Sequence, residues 1–158
     1  MVVVADTSPI NYLILIDQID LLSFLYGTVL VPPAVAGELR DAETPEKVRR
    51  WMDRLPPWLS VETVAATDDP RLVELDPGER EAIALALERG VSLILMDETK
   101  GRRQARSLQL LVRGTLGVLE HAARLKKIEF LPVLQKLEAT TFRMTPYVRE
   151  AAIRRSQG

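Results

Sequence analysis

Residues 93–97 read LILMD, four apolar residues followed by an acid, and residues 2–6 repeat this arrangement as VVVAD. Short apolar runs of this kind are typical of strands buried on both faces, as in a parallel sheet covered by helices. We therefore predict strands at residues 2–5 and 91–96, each followed directly by an aspartate, Asp6 and Asp97. Because the carboxyl ends of parallel strands share one edge of a sheet, where ligands bind, we expect both carboxylates at that edge.

The rest of the chain alternates between strand-like and helix-like segments, which predicts a three-layer α/β/α fold in a single domain over residues 1–158. Further strands are predicted at residues 28–31, 59–64 (at a sheet edge) and 110–112. The first helix is predicted to begin with Ser8 as N-cap and Pro9 as its first residue. The other predicted helices are residues 19–25, 34–40, 46–55, 76–90, 99–108, 114–127, 131–137 and 146–155. Residues 67–70 are predicted to be a loop.

Charge is distributed unevenly along the chain, although the formal net charge is only −1. Residues 1–99 contain 8 lysines and arginines against 18 acids, whereas residues 100–158 contain 13 against 4. An acidic part can gather cations, and a basic part can hold a polyanion. Simple attraction between the two parts across the fold explains the same asymmetry, so both interpretations stay open.

Several classes of protein are disfavoured by what the sequence lacks. There is no cysteine, which excludes a disulfide framework and a thiolate metal site. The single histidine, His121, is too little for histidine-based zinc chemistry. No Walker-type loop or GxGxxG motif follows the first strand. The N-terminal residues do not resemble a secretory signal and no apolar run is long enough to span a membrane, so we expect a cytoplasmic protein.

Four acids stand out by their positions, and each also has an ordinary structural explanation. Asp6 and Asp97 could cap the helices that follow them. Glu79 is the third residue of a helix whose N-cap is Asp76, an arrangement close to a capping box. Glu38 would by default lie on a solvated helix face. Taken singly, none of the four identifies a site.

Five motifs in a fixed order resemble the PIN-domain family, in a prokaryotic branch similar to VapC-type toxins. They are DTSPI at 6–10, VPPAV at 31–35 with EL at 38–39, DPGE at 76–79 with EAIALA at 81–86, LILMD at 93–97 with residues 102–105, and GTLGVL at 114–119. The resemblance covers nearly the whole chain. It implies a PIN-like α/β/α fold and a metal-dependent ribonuclease, often a toxin restrained by its antitoxin.

The resemblance also implies a group of catalytic and metal-binding acids: Asp6, Glu38, Glu79 and Asp97. Mg²⁺, with Mn²⁺ as the alternative, suits such a group because hard divalent cations prefer oxygen ligands. Glu98 is an additional candidate. The implied partners are RNA, a cognate antitoxin and a second copy of the chain in a homodimer. Two positions depart from the usual toxins, since Glu79 stands where they carry Asp and Leu95 where they often carry Thr or Ser.

Basic residues after Asp97 are candidates for holding an RNA backbone. The predicted RNA contacts are Arg102, Arg103, Arg113 and Thr115. The first two lie on a predicted helix, where they could instead pair with a carboxylate at the sheet edge or with an antitoxin. The other two lie at a helix start, whose N–H groups can receive a phosphate. The C-terminal arginines are expected to face solvent: Arg149, Arg154 and Arg155.

Three functional hypotheses follow from these residues. The first is a Mg²⁺-dependent ribonuclease that acts as the toxin of a type II toxin–antitoxin module. The second is a catalytically weak or inactive PIN-like module that binds RNA or protein, which the departures at Glu79 and Leu95 favour. The third is a phosphate-handling α/β protein of another family, which the missing loop motifs oppose.

Overall fold

A five-stranded parallel sheet lies at the centre of the protein in the computed structural model, which describes residues 1–65 and 68–158. Its strands are β1 (Val2–Ala5), β2 (Thr28–Val31), β3 (Leu59–Val61), β4 (Leu93–Leu95) and β5 (Leu111–Arg113). Their order across the sheet is β3-β2-β1-β4-β5. The strand order reverses between β1 and β4, and a crevice at the carboxyl ends of two such strands is where ligands bind in open α/β sheets.

Helices cover both faces of the sheet, which confirms the predicted three-layer α/β/α architecture. They are α1 (Thr7–Leu15), α2 (Leu21–Tyr26), α3 (Pro33–Arg40), α4 (Glu46–Met52), α5 (Pro77–Arg89), α6 (Thr99–Ser107), α7 (Thr115–Arg124), α8 (Phe130–Glu138) and α9 (Pro146–Gln157). Successive strand residues point to opposite faces, so Val3 joins one apolar core and Val4 the other. The helices α5 and α6 pack on the face of Val4, and the remaining helices pack on the face of Val3.

The predicted start of the first helix is wrong by two residues. Helix α1 begins at Thr7, and Asp6 rather than Ser8 occupies the N-cap position. Pro9 is therefore the third helical residue, which its ring tolerates because the first-turn N–H groups need no partner within the helix. The Asp6 side chain accepts no capping hydrogen bond from any described residue, which leaves its carboxylate for other contacts.

Other boundaries differ by a few residues. The strand predicted at 59–64 is paired only over Leu59–Val61, although its edge position is confirmed. The helix predicted to reach residue 55 ends at Met52, and the Thr44 hydroxyl, just before that helix, donates to the Glu38 carbonyl. A short 3₁₀ turn at Pro70–Leu72 begins at the last residue of the loop predicted at 67–70. Residue 67 of that loop lies outside the described residues.

The capping box predicted at the start of α5 is confirmed. Asp76 Oδ1 accepts from the Glu79 N–H at 2.8 Å, and Glu79 Oε1 accepts from the Asp76 N–H at 3.4 Å. Gly90 ends the helix with a φ of 65°, a left-handed conformation that glycine adopts without strain. Within residues 1–65 and 68–158, no helix is long and apolar enough to cross a membrane.

Candidate active site

Asp6 lies at the carboxyl end of β1, beside the end of the neighbouring strand β4. Its backbone N–H donates to the Leu95 carbonyl at 2.9 Å, which continues the pairing of the two strands. The residue is only 5% exposed. The pKa of the Asp6 carboxyl is raised from its ordinary 3.8 to about 7, mainly by burial; a backbone hydrogen bond from Thr7 lowers it, and the charges of Glu79, Asp76 and Glu38 add to the rise. The carboxylate is therefore desolvated among other acids.

Glu79 is buried at the N-terminus of α5 and its capping box fixes one of its carboxylate oxygens. Burial raises the pKa of Glu79, with added contributions from the charges of Asp76, Glu98 and Glu38. Glu79 can therefore both cap the helix and belong to the acidic group. Its Oε1 accepts the capping hydrogen bond from Asp76, and the charge of the carboxylate still acts on neighbouring acids.

Glu38 reaches the same group from α3, where it is half-buried rather than fully solvated. The Thr7 hydroxyl donates a short hydrogen bond to Glu38 Oε2. A Cβ built on Gly78, in the first turn of α5, would lie 2.5 Å from Glu38 Oε1. Only glycine at this position leaves room for the Glu38 carboxylate above the start of α5. A hydrogen bond also joins the two helices, because Glu81 Oε1 of α5 accepts from the Ala34 N–H of α3 at 3.0 Å.

Asp97 lies at the carboxyl end of β4 and is held by the start of α7. Its Oδ1 accepts from the Thr115 N–H at 2.7 Å, and its Oδ2 accepts from the Thr115 hydroxyl at 2.6 Å. Burial raises the pKa of Asp97 even though the two bonds from Thr115 and the charge of Arg102 lower it. Each carboxylate oxygen has further acceptor capacity beyond one hydrogen bond, so the residue can still receive another partner.

The structure brings three of the four predicted acids into electrostatic contact with one another: Asp6, Glu38 and Glu79. Glu98, the additional candidate, is exposed and raises the pKa of both Glu79 and Asp97. The side chains nevertheless do not converge on one point. Among the residues that the structure describes, no three acidic or histidine side chains lie close enough together to hold one metal ion.

Two of the predicted RNA-binding arginines are already engaged in hydrogen bonds, and of these Arg102 lies beside the acidic group. Arg102 Nη1 donates to the Met96 carbonyl at 2.8 Å, next to Asp97. Arg113 Nη1 donates to the Tyr26 hydroxyl and bonds His121 Nδ1, both at 2.9 Å. Burial lowers the pKa of His121, so its neutral ring can accept from Arg113. Both guanidinium groups have further donors that remain for an anion.

The other two predicted RNA contacts lie in very different surroundings. Thr115 is fully buried, and it gives both its N–H and its hydroxyl to Asp97, so in this arrangement neither group is free for phosphate. Thr115 therefore holds the Asp97 carboxylate in position. Arg103 is exposed on α6.

A family model, DUF3368, described as a PIN domain, matches residues 2–157 of the chain. The chain belongs to the PIN-domain family. PIN domains are generally nucleases and typically use divalent metal ions, so this PIN domain has a nuclease-type fold. No curated protein and no solved structure matches the chain.

Two further residues of this PIN domain contribute to its acidic group, although the sequence did not predict this role for them. Thr7 follows Asp6 directly and donates to Glu38, and Asp76 adds a negative charge beside both Asp6 and Glu79. The adjacency of Thr7 to a strand-terminal acid was a signal in the sequence. The contact of Thr7 with Glu38, 31 residues away, was not, because only the packing of α1 against α3 creates it.

Proposed function

We propose that this PIN domain is a ribonuclease that depends on Mg²⁺, with Mn²⁺ as a substitute, and that Asp6, Glu38, Glu79 and Asp97 form its metal-binding and catalytic group. The observation that carries the proposal is the position of Asp6, which is 5% exposed at the carboxyl end of β1 and has Glu79, Asp76 and Glu38 near enough for their charges to raise its pKa. Carboxylates held this close together repel one another, and a divalent cation among them offsets that repulsion.

The donor set fits a hard divalent cation by its chemistry, since every candidate ligand is a carboxylate oxygen. The separation of the acids described above means that side chains must rotate to meet on one ion. Glu38 and Glu79 have long side chains for that movement, whereas Asp97 is fixed by Thr115. When bound, such an ion supplies Lewis acidity and makes a bound water more acidic.

The residues of the chain then perform three tasks in the proposed hydrolysis of an RNA phosphodiester. A carboxylate of the acidic group orients the attacking water and accepts its proton. Arg102, next to Asp97, places positive charge where the phosphate oxygens would gain negative charge. Thr115 keeps the Asp97 carboxylate in one orientation throughout, because both of its oxygens are bonded to the same residue.

We further propose that the ribonuclease is the toxin of a type II toxin–antitoxin module, acts in the cytoplasm as a homodimer and is inhibited by a cognate antitoxin. Membership of the PIN-domain family supports this role, together with the resemblance of the five sequence motifs to those of VapC-type toxins. A gene for a small DNA-binding protein beside the gene for this chain would be the expected antitoxin. Coexpression of the two products should restore growth that the PIN domain alone arrests.

A second candidate function is an RNA- or protein-binding module that does not cleave. Three contacts within residues 1–65 and 68–158 favour it, because each already engages one of the acids. Thr7 donates a hydrogen bond to Glu38, the capping box engages Glu79, and Thr115 donates to Asp97. In this arrangement no three acidic side chains of the described residues meet at a position where they could share one ion. In this alternative the acids stabilise the fold, and the basic residues nearby bind the RNA or the protein partner.

An RNA cleavage assay distinguishes the two functions. Purified protein is incubated with single-stranded and structured RNA, with Mg²⁺ or with EDTA. We expect cleavage only with the metal, and its loss in Asp6→Asn. The matched control is Glu88→Gln, which changes an exposed acid on α5. Cleavage that survives in Asp6→Asn would identify a contaminating nuclease, and binding of RNA without cleavage would support the second function.

A further inference from the structure

A cavity of about 650 Å³ lies at the edge of the sheet where β4 and β5 begin. Its lining comes from the ends of α2 and α6, the middle of α7 and strand β5. None of the four acids of the candidate active site is part of this lining. Sites for small molecules commonly have roughly 300–1,000 Å³, so the cavity has room for such a ligand, separate from the acidic group.

The walls of this cavity are mostly apolar. Leu111 and Arg113 point to the same face of β5, because successive strand residues alternate. The helices α2 and α7 contact Arg113 on that face, whereas Leu111 is left 65% exposed. The other apolar side chains in the lining are Met1, Leu25, Leu93, Leu110 and Val112. The cavity therefore offers apolar surface that the fold itself does not cover.

The charge of the lining is positive. Among the described residues no aspartate or glutamate lines the cavity, whereas two arginines do, Arg106 and Arg113. Arg106 is exposed near the end of α6, and Arg113 is half-buried. An apolar cavity with cations and without carboxylates favours a ligand that carries negative charge on an apolar body.

Arg113 is held in place at the wall of the cavity. A Cβ built on Gly117 would lie 2.6 Å from Arg113 Cγ, so the glycine leaves room for the arginine side chain beside α7. Arg113 Nη1 then donates to the Tyr26 hydroxyl and bonds His121 Nδ1, both at 2.9 Å. Since Tyr26 and His121 both line the cavity, these bonds fix the guanidinium group beside it.

The positive charge of Arg113 has no carboxylate partner among the residues that the structure describes. Burial raises the pKa of Tyr26, although the hydrogen bond and charge of Arg113 oppose this, so the hydroxyl is neutral at pH 7. The ring of His121 is neutral as well, because burial lowers its pKa. A half-buried cation between two neutral partners is a place where an anion gains a strong interaction.

The donors that remain on Arg113 match a carboxylate. Nη1 carries two hydrogens, and Tyr26 and His121 engage that nitrogen, which leaves Nε and Nη2. Within the described part of the chain neither of these two atoms forms a hydrogen bond, and neither is fully buried. Parallel N–H groups of this kind receive the two oxygens of one carboxylate. A phosphate dianion would call for more donors than these largely apolar walls provide.

We propose that this cavity binds a small organic acid, whose carboxylate lies on Arg113 and whose apolar body lies against Leu25, Leu93 and Leu111. Arg106 adds a second positive charge to the lining. The site is distinct from the proposed ribonuclease centre, and neither proposal depends on the other.

Isothermal titration calorimetry tests the proposal with two organic acids, octanoate and 2-naphthoate, one with a flexible body and the other with a flat one. The comparison ligands are acetate, octanol and octyl phosphate, which lack the apolar body, lack the charge and carry a phosphate, respectively. We expect one equivalent of at least one of the two acids to bind. Acetate and octanol should bind at least about tenfold more weakly, because each lacks one of the two contributions.

Two pairs of variants assign the binding to the cavity. Arg113→Gln should weaken binding of the acid by at least about tenfold, whereas Arg103→Gln removes an exposed charge of α6 outside the cavity and should have no effect. Leu111→Ser changes an exposed residue, so it tests the apolar wall even if Arg113→Gln does not fold. It should weaken binding several-fold, and Leu131→Ser, at an exposed position of α8 outside the cavity, should not.

Several results would overturn the proposal. One is the absence of saturable binding of both acids to the wild type. Another is equal affinity of the folded Arg113→Gln and Arg103→Gln proteins, or of Leu111→Ser and Leu131→Ser, with circular dichroism as the check of folding. Equal affinity for octanol would show an unspecific apolar surface, and tighter binding of octyl phosphate than of octanoate would contradict the carboxylate class.

Discussion

Thr115 binds both oxygens of Asp97, one through its backbone N–H at 2.7 Å and the other through its hydroxyl at 2.6 Å. The contact joins the carboxyl end of β4 to the start of α7 across 18 residues of sequence. It fixes the orientation of a carboxylate whose burial raises its pKa. One residue thereby supports both the fold at the switch point of the sheet and the geometry of the candidate site.

Thr115→Val should destabilise the protein by about 1.5–3 kcal/mol, because it removes a hydrogen bond to a charged group while keeping the shape of the side chain. Urea unfolding at pH 8 measures the change. The control is Thr141→Val, which removes an exposed hydroxyl bonded to Tyr12 and should cost less than about 0.5 kcal/mol. Equal losses of stability in the two variants would show that the Thr115 hydroxyl stabilises the protein no more than the exposed hydroxyl of Thr141 does.

Gly114→Ala should destabilise the protein by about 1–3 kcal/mol through overpacking. A Cβ at this position would lie 2.6 Å from Arg102 Nη1 and 2.8 Å from Asp97 Oδ1, and both groups are held by hydrogen bonds. Gly37→Ala is the control, since no described atom lies within 4 Å of its added Cβ; at this exposed position of α3 it should stabilise by about 0.5–1 kcal/mol. Opposite signs in thermal unfolding are therefore expected, and the same sign would contradict the close approach at Gly114.

Arg155→Met should lower the free energy of unfolding by about 1–3 kcal/mol, because it leaves the Glu120 carboxylate buried without its cation. The estimate is below that for a fully buried pair because the Arg155 side chain is 55% exposed. Arg149→Met breaks the half-exposed pair with Glu138 and should cost less than about 1 kcal/mol. Chemical denaturation of both variants tests the ranking, and a larger loss in Arg149→Met would reverse it.

Ionisation of Asp6 should make the wild type less stable as pH rises. The folded-state pKa of about 7 lies above the ordinary aspartate value of 3.8, so between these values the native state binds more protons than the unfolded state and stability falls with rising pH. Asp6→Asn removes this effect. In EDTA, the stability of the variant relative to wild type should increase between pH 4 and pH 8 by up to about 4 kcal/mol, at 1.36 kcal/mol per pKa unit.

The control for this pH profile is Asp53→Asn, which changes an exposed aspartate at the end of α4. Its stability relative to wild type should vary little over the same range. A flat profile for Asp6→Asn as well would show that the Asp6 carboxyl titrates normally and is not desolvated among other acids.

The sequence was sufficient to predict the parallel sheet because its central strands are short apolar runs that end at Asp6 and Asp97. Helix signals with a local cause were also reliable, as at the capping box of Asp76 and Glu79 and at Gly90. The start of α1 was predicted wrongly because Ser8-Pro9 is a strong local signal, whereas the neighbouring strand pairing places the helix start at Thr7.

The candidate site was predictable only as a set of residue types at one sheet edge. The contacts of Thr7 with Glu38 and of Thr115 with Asp97 join segments that only the folded chain brings together. The same is true of Arg155, which looks like a solvent-exposed residue of a C-terminal helix but pairs with Glu120 of α7. Such long-range partners leave no pattern of spacing in a single sequence.

Direct titration of metal into the protein is the measurement that tests the central claim, because it does not depend on knowing the RNA target. Isothermal titration calorimetry at pH 7.5 should show saturable binding of Mn²⁺ and Mg²⁺ to the wild type and to Glu88→Gln. The same titration should show no binding to Asp6→Asn. Absence of binding to the wild type, or equal binding to wild type and Asp6→Asn, would contradict a metal site built from these carboxylates.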